Sequence, residues 1–108
     1  MTGDEEIVVR ENAGAGRYEL FVSGELAGQA TYSVSDGAMT IPHTEVRPRY
    51  EGRGLGALLA RFALDDARRR GLRVVPACSF IAAYVARHPE YGDLIAARPA
   101  PGAPADRT

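Results

Sequence analysis

Cysteine occurs once in the chain, at Cys78, directly after Pro76 and Ala77 and directly before a predicted helix. Main-chain N–H groups at a helix N-terminus stabilise a thiolate and lower the pKa of a thiol that lies there. Such a thiolate is a nucleophile and can carry a covalent intermediate. The alternative is a small buried hydrophobic side chain, the usual environment of a free cysteine. Cys78 is therefore a candidate nucleophile, and a packing role stays open.

His43 and Glu45 are two residues apart in a segment that alternates like a β-strand, so their side chains are expected on the same side. Either group can act as a general base, directly or through a water molecule. The alternative for His43 is a hydrogen bond within the sheet. The alternative for Glu45 is a solvated edge position or an ion pair with an arginine.

A glycine-rich loop connects this strand to the following helix and contains Gly52, Gly54 and Gly56. Glycines let the backbone turn sharply and leave room for a ligand beside the main chain. The free N–H groups at the start of a helix suit a pyrophosphate, and Arg53 can add a charge-assisted hydrogen bond. The loop lacks the Gly-Lys-Ser/Thr ending of a nucleotide P-loop, and the acidic residue of the dinucleotide fingerprint is missing. An anion site and a simple tight turn are the interpretations that remain.

The elements that position these residues can be predicted from periodicity. Strands are predicted at 6–10, 17–23, 26–34 and 38–46, because β-forming or alternating apolar residues lie there between turn-forming clusters. The short turns between them favour an antiparallel meander.

After the loop, the apolar period changes to that of an amphipathic helix. The apolar stripe consists of Leu55, Leu58, Leu59, Phe62 and Ala63. Gly71 is expected to end this helix, and residues 72–76 are expected to form a fifth strand. Ser79 is expected to cap a second helix that runs to about His88, before Pro89. The order is ββββαβα, which predicts an α+β fold whose mixed, mostly antiparallel sheet has its last two strands parallel.

Composition limits the classes of function. The chain has 108 residues, is 45% hydrophobic and 25% charged, and carries a net charge of −1. These values predict one domain and give no overall field for nucleic acid, and no apolar run approaches the roughly 20 residues of a membrane helix. One cysteine excludes a disulfide framework and a multi-thiolate metal site, and with the acidic N-terminus it favours the cytoplasm. We expect a domain over residues 1–95 and a disordered Pro/Ala-rich tail over 96–108.

Residues 51–56 (Glu-Gly-Arg-Gly-Leu-Gly), which follow an extended strand, resemble the Arg/Gln-x-x-Gly-x-Gly/Ala signature of the GNAT superfamily of acetyl-CoA-dependent N-acetyltransferases. Together with residues 43–46, 75–78 and 84–91, they are similar to the short YjdJ-type branch of that superfamily. The resemblance extends over about residues 5–95.

The resemblance implies a GNAT-like minimal fold in which the last two strands splay apart and admit a thioester. It implies that the pantetheine arm of acetyl-CoA pairs with the backbone of the fourth strand, and that the pyrophosphate lies on the loop. The cofactor-binding residues are then Thr44, Val46, Gly52, Arg53, Gly54, Leu55, Gly56 and Ala57. Glu51 departs from the signature, since the superfamily has Arg or Gln there, and this shifts phosphate binding to Arg53 and to the backbone.

The resemblance also implies roles in catalysis. Cys78 corresponds to the suspected acetyl acceptor of the YjdJ-type branch, and Tyr84 corresponds to the proton donor to the departing thiolate. The alternative for Tyr84 is a ring packed on the sheet. The N–H of Val46 is a candidate oxyanion donor, and His43 or Glu45 is a candidate base for the acceptor.

The function that follows is transfer of an acetyl group from acetyl-CoA to an amine. The transfer is either direct or passes through an acetyl-cysteine intermediate. One alternative is a non-catalytic coenzyme A sensor or interaction domain, and another is a β-rich partner-binding domain whose loop is only a turn. The sequence does not identify the amine. The short acceptor side and five tyrosines also suggest a homodimer.

Overall fold

The computed structural model of the protein describes residues 5–95. Residues 1–4 and 96–108 lie outside the described residues, and so does the predicted disordered tail. The strands and helices are β1 (Ile7–Asn12), β2 (Arg17–Val22), β3 (Glu25–Ser35), β4 (Ala38–Val46), α1 (Leu55–Arg69), β5 (Arg73–Val75) and α2 (Ser79–Arg87). Short 3-10 segments cover Ala13–Ala15, Pro48–Tyr50 and Pro89–Leu94. The predicted element order and the α+β class are confirmed.

The five strands form one mixed sheet in the order β1-β2-β3-β4-β5. The first four strands pair antiparallel with their chain neighbours, whereas β5 pairs parallel with β4. This arrangement confirms the predicted meander and the predicted parallel pair on either side of α1.

A bulge interrupts β4. Between two stretches of regular pairing with β3, Ile41 and Pro42 lie opposite Tyr32 alone. An extra residue in one strand bends that strand and changes which side chains face inward. Met39 is buried before the bulge, whereas Val46 packs against the core after it.

The strands β4 and β5 separate beyond the bulge. Only Ala38–Thr40 of β4 pair with β5, and the rest of β4 has no partner there among the described residues. The two strands therefore splay apart, as predicted, and leave a gap at the end of β4 that leads to the glycine-rich loop.

One hydrophobic core joins the sheet to both helices. α1 packs on β2, β3 and β4, and α2 packs on β4 and on α1. The largest fully buried side chains are Tyr18, Leu20, Met39, Ile41, Leu59, Leu64, Val74 and Ile81. The predicted stripe of α1 faces this core: Leu55, Leu59 and Ala63 are buried, and Leu58 and Phe62 are half-buried.

The helix ends agree with the predictions at one position and correct them at another. Gly71 has a left-handed φ of 71° and follows the last turn of α1, as expected. The prediction that Ser79 caps α2 is wrong by one residue. Cys78 is the N-cap, because its backbone is extended and its carbonyl accepts the first helical hydrogen bond, from the N–H of Ala82 at 3.0 Å.

The segment after α2 is fastened to α1. The hydroxyl of Tyr91 donates to Asp65 at 2.7 Å, and Arg68 makes an ion pair with Asp93 at 3.0 Å. These contacts hold the C-terminal end of α2 beside the first helix. Over residues 5–95, no helix combines the length and apolar character needed to cross a membrane.

Candidate active site

The glycine-rich loop turns the chain from β4 into α1. Gly52 and Gly54 have left-handed φ values of 83° and 78°, and a side chain at either position would meet no atom within 4 Å. These glycines therefore serve backbone conformation and leave open space beside the chain. Gly54 is the N-cap residue of α1, so no side chain of the N-cap accepts a hydrogen bond from the first N–H groups of this helix.

The main-chain N–H groups of residues 52–57 make no hydrogen bond with the described part of the chain, and the first bond of α1 runs from Leu58 to the carbonyl of Gly54 at 3.3 Å. Unpaired N–H groups at the positive end of a helix dipole form an anion site. The loop is thus more than a closed turn.

A cavity of about 420 Å³ lies between this loop and α2. Among the predicted site residues, those that line it are Val46, Gly52, Gly54, Leu55, Gly56, Ala57 and Tyr84. Residues that line it without having been predicted are Tyr50, Glu51, Phe80, Ala83, Arg87 and His88. Half of the latter set are on α2, and sequence periodicity gives no signal for how two helices meet.

Phe80 and Gly56 are in close contact at the wall of this cavity. A β-carbon on Gly56 would lie 3.0 Å from the ring tip of Phe80. The absence of a side chain at position 56 therefore lets α2 approach the first turn of α1. A sequence pattern of glycines suggested ligand space here, whereas the structure adds a packing reason.

The predicted phosphate-binding side chain of Arg53 does not line the cavity. It makes an ion pair with Glu5 and lies over the ring of Tyr50, 5.7 Å from its centroid. The buried Tyr50 in turn donates its hydroxyl to Glu25, which raises the pKa of Tyr50 and lowers the pKa of Glu25. These contacts anchor the loop to the start of β3.

Cys78 lies between the N-terminus of α2 and the end of β4. Burial raises the pKa of the Cys78 thiol, but the N–H groups of Ile81 and Phe80 and the hydroxyl and N–H of Thr44 outweigh it, so the pKa is lowered overall. The thiol is half-buried. The hydroxyl oxygen of Thr44 is itself buried and has no hydrogen-bond partner among the described residues.

The backbone of β4 turns alternate groups toward the gap. The N–H of Arg47 donates to the carbonyl of Ala27 in the β3–β4 pairing at 2.7 Å. Because backbone groups alternate along a strand, the N–H groups of Thr44 and Val46 point away from β3, toward the gap left by β5. These are the two positions predicted to pair with the cofactor.

The side chains of His43 and Glu45 lie on the face of the sheet opposite to the side chains of Thr44 and Val46. Their side chains contact each other at 2.7 Å and are 58% and 54% exposed, which agrees with the prediction that they share a side. The bulge in β4 puts Thr44 and Val46, not His43 and Glu45, on the inner side of the strand. Neither side chain lines the cavity.

Tyr84 is buried and lines the cavity. Burial and the carboxylates of Glu90 and Asp65 raise its pKa, so its hydroxyl keeps its proton at neutral pH. The ring of His88 stacks on it with 3.9 Å between centroids, and Nδ1 of His88 contacts the carbonyl of Tyr84 at 2.8 Å. Tyr84 therefore has both the packing role and the protonation state of a donor.

Comparison with known proteins points to one family. A family model described as GCN5-related N-acetyl-transferase matches residues 17–94, more than half of the chain. Over 50 residues the chain is 46% identical to streptothricin acetyltransferase of Streptomyces lavendulae, and this match covers 44% of the chain and 26% of the relative. The chain thus spans about a quarter of that relative's length.

Solved structures share the fold. The ribosomal-protein-S18-alanine N-acetyltransferase of Escherichia coli is 28% identical with a TM-score of 0.55, over 70% of this chain and 50% of that one. A GCN5-like putative N-acetyltransferase of Staphylococcus aureus, 23% identical, superposes with a TM-score of 0.63 over 88% of this chain and 91% of that one. The second likeness establishes the fold alone, and over nearly the full length of both chains.

Proposed function

Because the chain belongs to the GCN5-related N-acetyltransferase family, whose model matches residues 17–94, we propose that it transfers an acetyl group from acetyl-CoA to an amine. The single observation that carries the proposal is the set of unpaired N–H groups at residues 52–57, which border a cavity that includes Val46 at the end of β4. These N–H groups suit the diphosphate of acetyl-CoA, and the gap between β4 and β5 suits its narrow pantetheine arm.

The residues proposed to hold acetyl-CoA act mainly through the backbone. The N–H groups of residues 52–57 would bind the diphosphate, and the backbone of Thr44 and Val46 would pair with the pantetheine arm. Arg53 contributes its N–H only, since its side chain is paired with Glu5. Arg87 lines the cavity and makes no ion pair with a described carboxylate, so its guanidinium is the side chain available to a phosphate.

When bound, acetyl-CoA supplies an acetyl group activated as a thioester. The N–H of Val46 faces the gap and can donate a hydrogen bond to the carbonyl oxygen as negative charge develops on it. In the proposed first step, the thiolate of Cys78 attacks the carbonyl carbon, the bond from that carbon to the coenzyme A sulfur breaks, and the hydroxyl of Tyr84 protonates the leaving sulfur. An amine nitrogen then attacks the acetyl-cysteine, the Cys78 thiolate leaves, and Tyr84 takes back a proton from solvent.

The His43–Glu45 pair is proposed to accept the proton of the amine. Both side chains are exposed, so an acceptor approaching from solvent can reach them directly or through one water molecule. Their separation from the cavity by the thickness of β4 makes a water-mediated path the one that we favour.

Acetyl-CoA binding is tested first by calorimetry. We expect saturable binding of acetyl-CoA and of coenzyme A, and weaker binding to Arg87→Gln than to Arg73→Gln, since Arg73 is on β5 and does not line the cavity. No binding at millimolar acetyl-CoA would contradict the proposed cofactor.

The acetyl-cysteine is tested by mass spectrometry. Incubation with acetyl-CoA and no amine should increase the mass of the protein by one acetyl group, and Cys78→Ala should remove this increase. If Cys78→Ala retains full turnover with an amine, transfer is direct and His43 or Glu45 is the base.

A non-catalytic coenzyme A-binding domain is the second candidate. The observation that favours it is the absence of Cys78, His43 and Glu45 from the residues that line the cavity. The two functions are separated by release of free thiol: an enzyme releases coenzyme A in proportion to added amine, whereas a sensor binds it tightly and releases none.

The acceptor and the branch are part of the same proposal. A screen by thiol release should compare three acceptors: streptothricin, a peptide with an N-terminal alanine and a peptide with an internal lysine. The first two are chosen because one relative is a streptothricin acetyltransferase and another is a ribosomal-protein-S18-alanine N-acetyltransferase. Assignment to the short YjdJ-type branch is supported by the sequence resemblance of residues 43–46, 51–56, 75–78 and 84–91. The need for a free thiol at Cys78 favours the reducing cytoplasm.

A further inference from the structure

The outer edge of β1 has no partner within residues 5–95. β1 is the first strand of the sheet and pairs only with β2. The N–H of Ser23 donates to the carbonyl of Glu6 at 2.7 Å, so alternation directs the backbone groups of Ile7, Val9 and Glu11 away from β2. A strand with unpaired backbone groups is a template for a further strand.

This edge is also apolar. Ile7 and Val8 are 42% and 37% exposed and are adjacent on this strand, whereas β3 and β5 each expose a single valine, Val34 and Val75. A groove of about 570 Å³ lies beside it, and its apolar wall is formed by Ile7, Val9, Leu58 and Phe62. Charged side chains of α1 form the rest of the groove.

We propose that a second copy of this chain binds here, with the two β1 strands antiparallel about a two-fold axis at Val8. The two sheets then become one continuous sheet of ten strands. In this register Ile7 of one copy lies opposite Val9 of the other, and both have backbone groups that face the partner. Each copy would cover part of the other's apolar groove.

Charge complementarity selects the register. With the axis at Val8, Glu6 of each copy lies opposite Arg10 of the other, which makes two symmetric ion pairs. Neither side chain makes an ion pair within the described part of its own chain. An axis at Ile7 would put Glu6 opposite Val8, and an axis at Val9 would put Arg10 opposite Val8, so both charge pairs would be lost.

The remaining charges are compatible with this register. Glu5 lies opposite Glu11 of the second copy, but each carboxylate is already paired within its own chain, Glu5 with Arg53 and Glu11 with Arg70. Glu6, Val8 and Arg10 share the sheet face away from α1, because Val9 between them packs against the core. The cavity, at β4, stays open in both copies.

The test begins with sedimentation equilibrium of the full chain. We expect a concentration-dependent dimer, and we expect Glu6→Arg or Arg10→Glu to weaken it about tenfold, because each change turns two attractive cross-strand pairs into repulsive ones. The double variant Glu6→Arg/Arg10→Glu should restore the wild-type affinity, whereas Arg73→Glu on the opposite edge should not change it. A chain that stays monomeric at millimolar concentration overturns the proposal, and so does a double variant that fails to recover while remaining folded by circular dichroism.

Cross-linking tests the register separately. Facing residues of a non-hydrogen-bonded pair have α-carbons about 4.5 Å apart, which suits a disulfide. Val8→Cys should therefore form a covalent dimer on mild oxidation, and Arg10→Cys, the matched control, should form far less. Equal yields in both variants overturn the register.

Discussion

Cys78 has an environment that separates it from an ordinary half-buried cysteine. N–H groups of α2 and the hydroxyl and N–H of Thr44 lie against it and lower the pKa of its thiol despite burial. The buried hydroxyl of Thr44 makes no hydrogen bond with the described residues, so it is free to donate to a thiolate at Cys78. The pair of residues, one from each of two elements, is therefore a unit that favours a thiolate.

Thr44→Val should raise the pKa of the Cys78 thiol, because it removes one hydrogen-bond donor to the thiolate. The rate of alkylation by iodoacetamide, measured against pH, should shift to higher pH in this variant. Thr40→Val, on the same strand before the bulge, is the matched control and should leave the profile unchanged. An identical profile for both variants would mean that Thr44 does not act on Cys78.

Gly56→Ala should weaken acetyl-CoA binding without loss of stability. The added methyl would lie 3.0 Å from the ring tip of Phe80 and should displace this ring, which lines the cavity, while alanine in place of a helical glycine stabilises α1 by up to ~1 kcal/mol. Calorimetry and thermal unfolding should therefore move in opposite directions. Adding Phe80→Ala should recover the affinity; failure to recover would assign the loss to the backbone of the loop.

At the level of elements, the loop into α1 depends on one backbone conformation. Gly54 holds a left-handed φ of 78° with open space around it, so substitution costs conformational energy and creates no clash. Gly54→Ala should lower the free energy of unfolding by about 1 kcal/mol, and Gly54→Asn should cost less because asparagine tolerates this region. Urea denaturation measures both, and equal losses would contradict a purely conformational cause.

The elements themselves were largely predictable from the sequence. Alternation and the change to a helical period identify every strand and both helices, and the glycines identify the loop. The bulge at Ile41 and Pro42 is not readable from alternation, because it results from pairing with β3. For the same reason the sequence could not reveal that Thr44, rather than His43 or Glu45, faces Cys78.

The missed residues of the site share a physical cause. Phe80 and Arg87 reach the cavity only because α2 packs against the first turn of α1. Packing between helices depends on contacts distant in sequence, which periodicity does not encode. The pairing of Arg53 with Glu5 is equally nonlocal, and it removes a side chain that the motif had offered to phosphate.

For the whole molecule, a polar network holds α1 against the sheet. Asp66, which is buried, accepts hydrogen bonds from the hydroxyl of Tyr18 at 2.8 Å, from Arg69 and from Arg70 at 3.2 Å. Arg70 also reaches Glu11 of β1 at 3.1 Å. The network therefore links the first two strands, β1 and β2, to the last turn of α1.

Asp66→Ala should lower the free energy of unfolding by about 2 kcal/mol, since it leaves the buried hydroxyl of Tyr18 without its acceptor. Urea denaturation at neutral pH measures this loss.

The stability contributed by Asp66 should depend on pH. Burial raises the pKa of Asp66, but the hydrogen bonds from Tyr18, Arg69 and Arg70 together lower it by more than burial raises it, so the folded pKa is below the unfolded one. Its contribution is therefore complete above the unfolded pKa, near 3.9, and is lost as the pH falls through the folded pKa. Urea denaturation between pH 3 and pH 6 should show a weaker acid dependence in Asp66→Asn than in the wild type; an unchanged slope would assign the dependence to Glu19 and the other low-pKa carboxylates.

The two helices begin close to one another, α1 at the cavity and α2 at Cys78 beside it. The attraction that an anion meets there comes from peptide groups whose direction is fixed by the fold, in a chain that has no lysine at all. Apart from Arg87, no long cationic side chain of the cavity wall has to be immobilised when a ligand arrives, so little rotamer entropy is lost on association. Most of the affinity at this place is accordingly a property of the scaffold, and a variant that preserves the two helix starts and Arg87 should retain it.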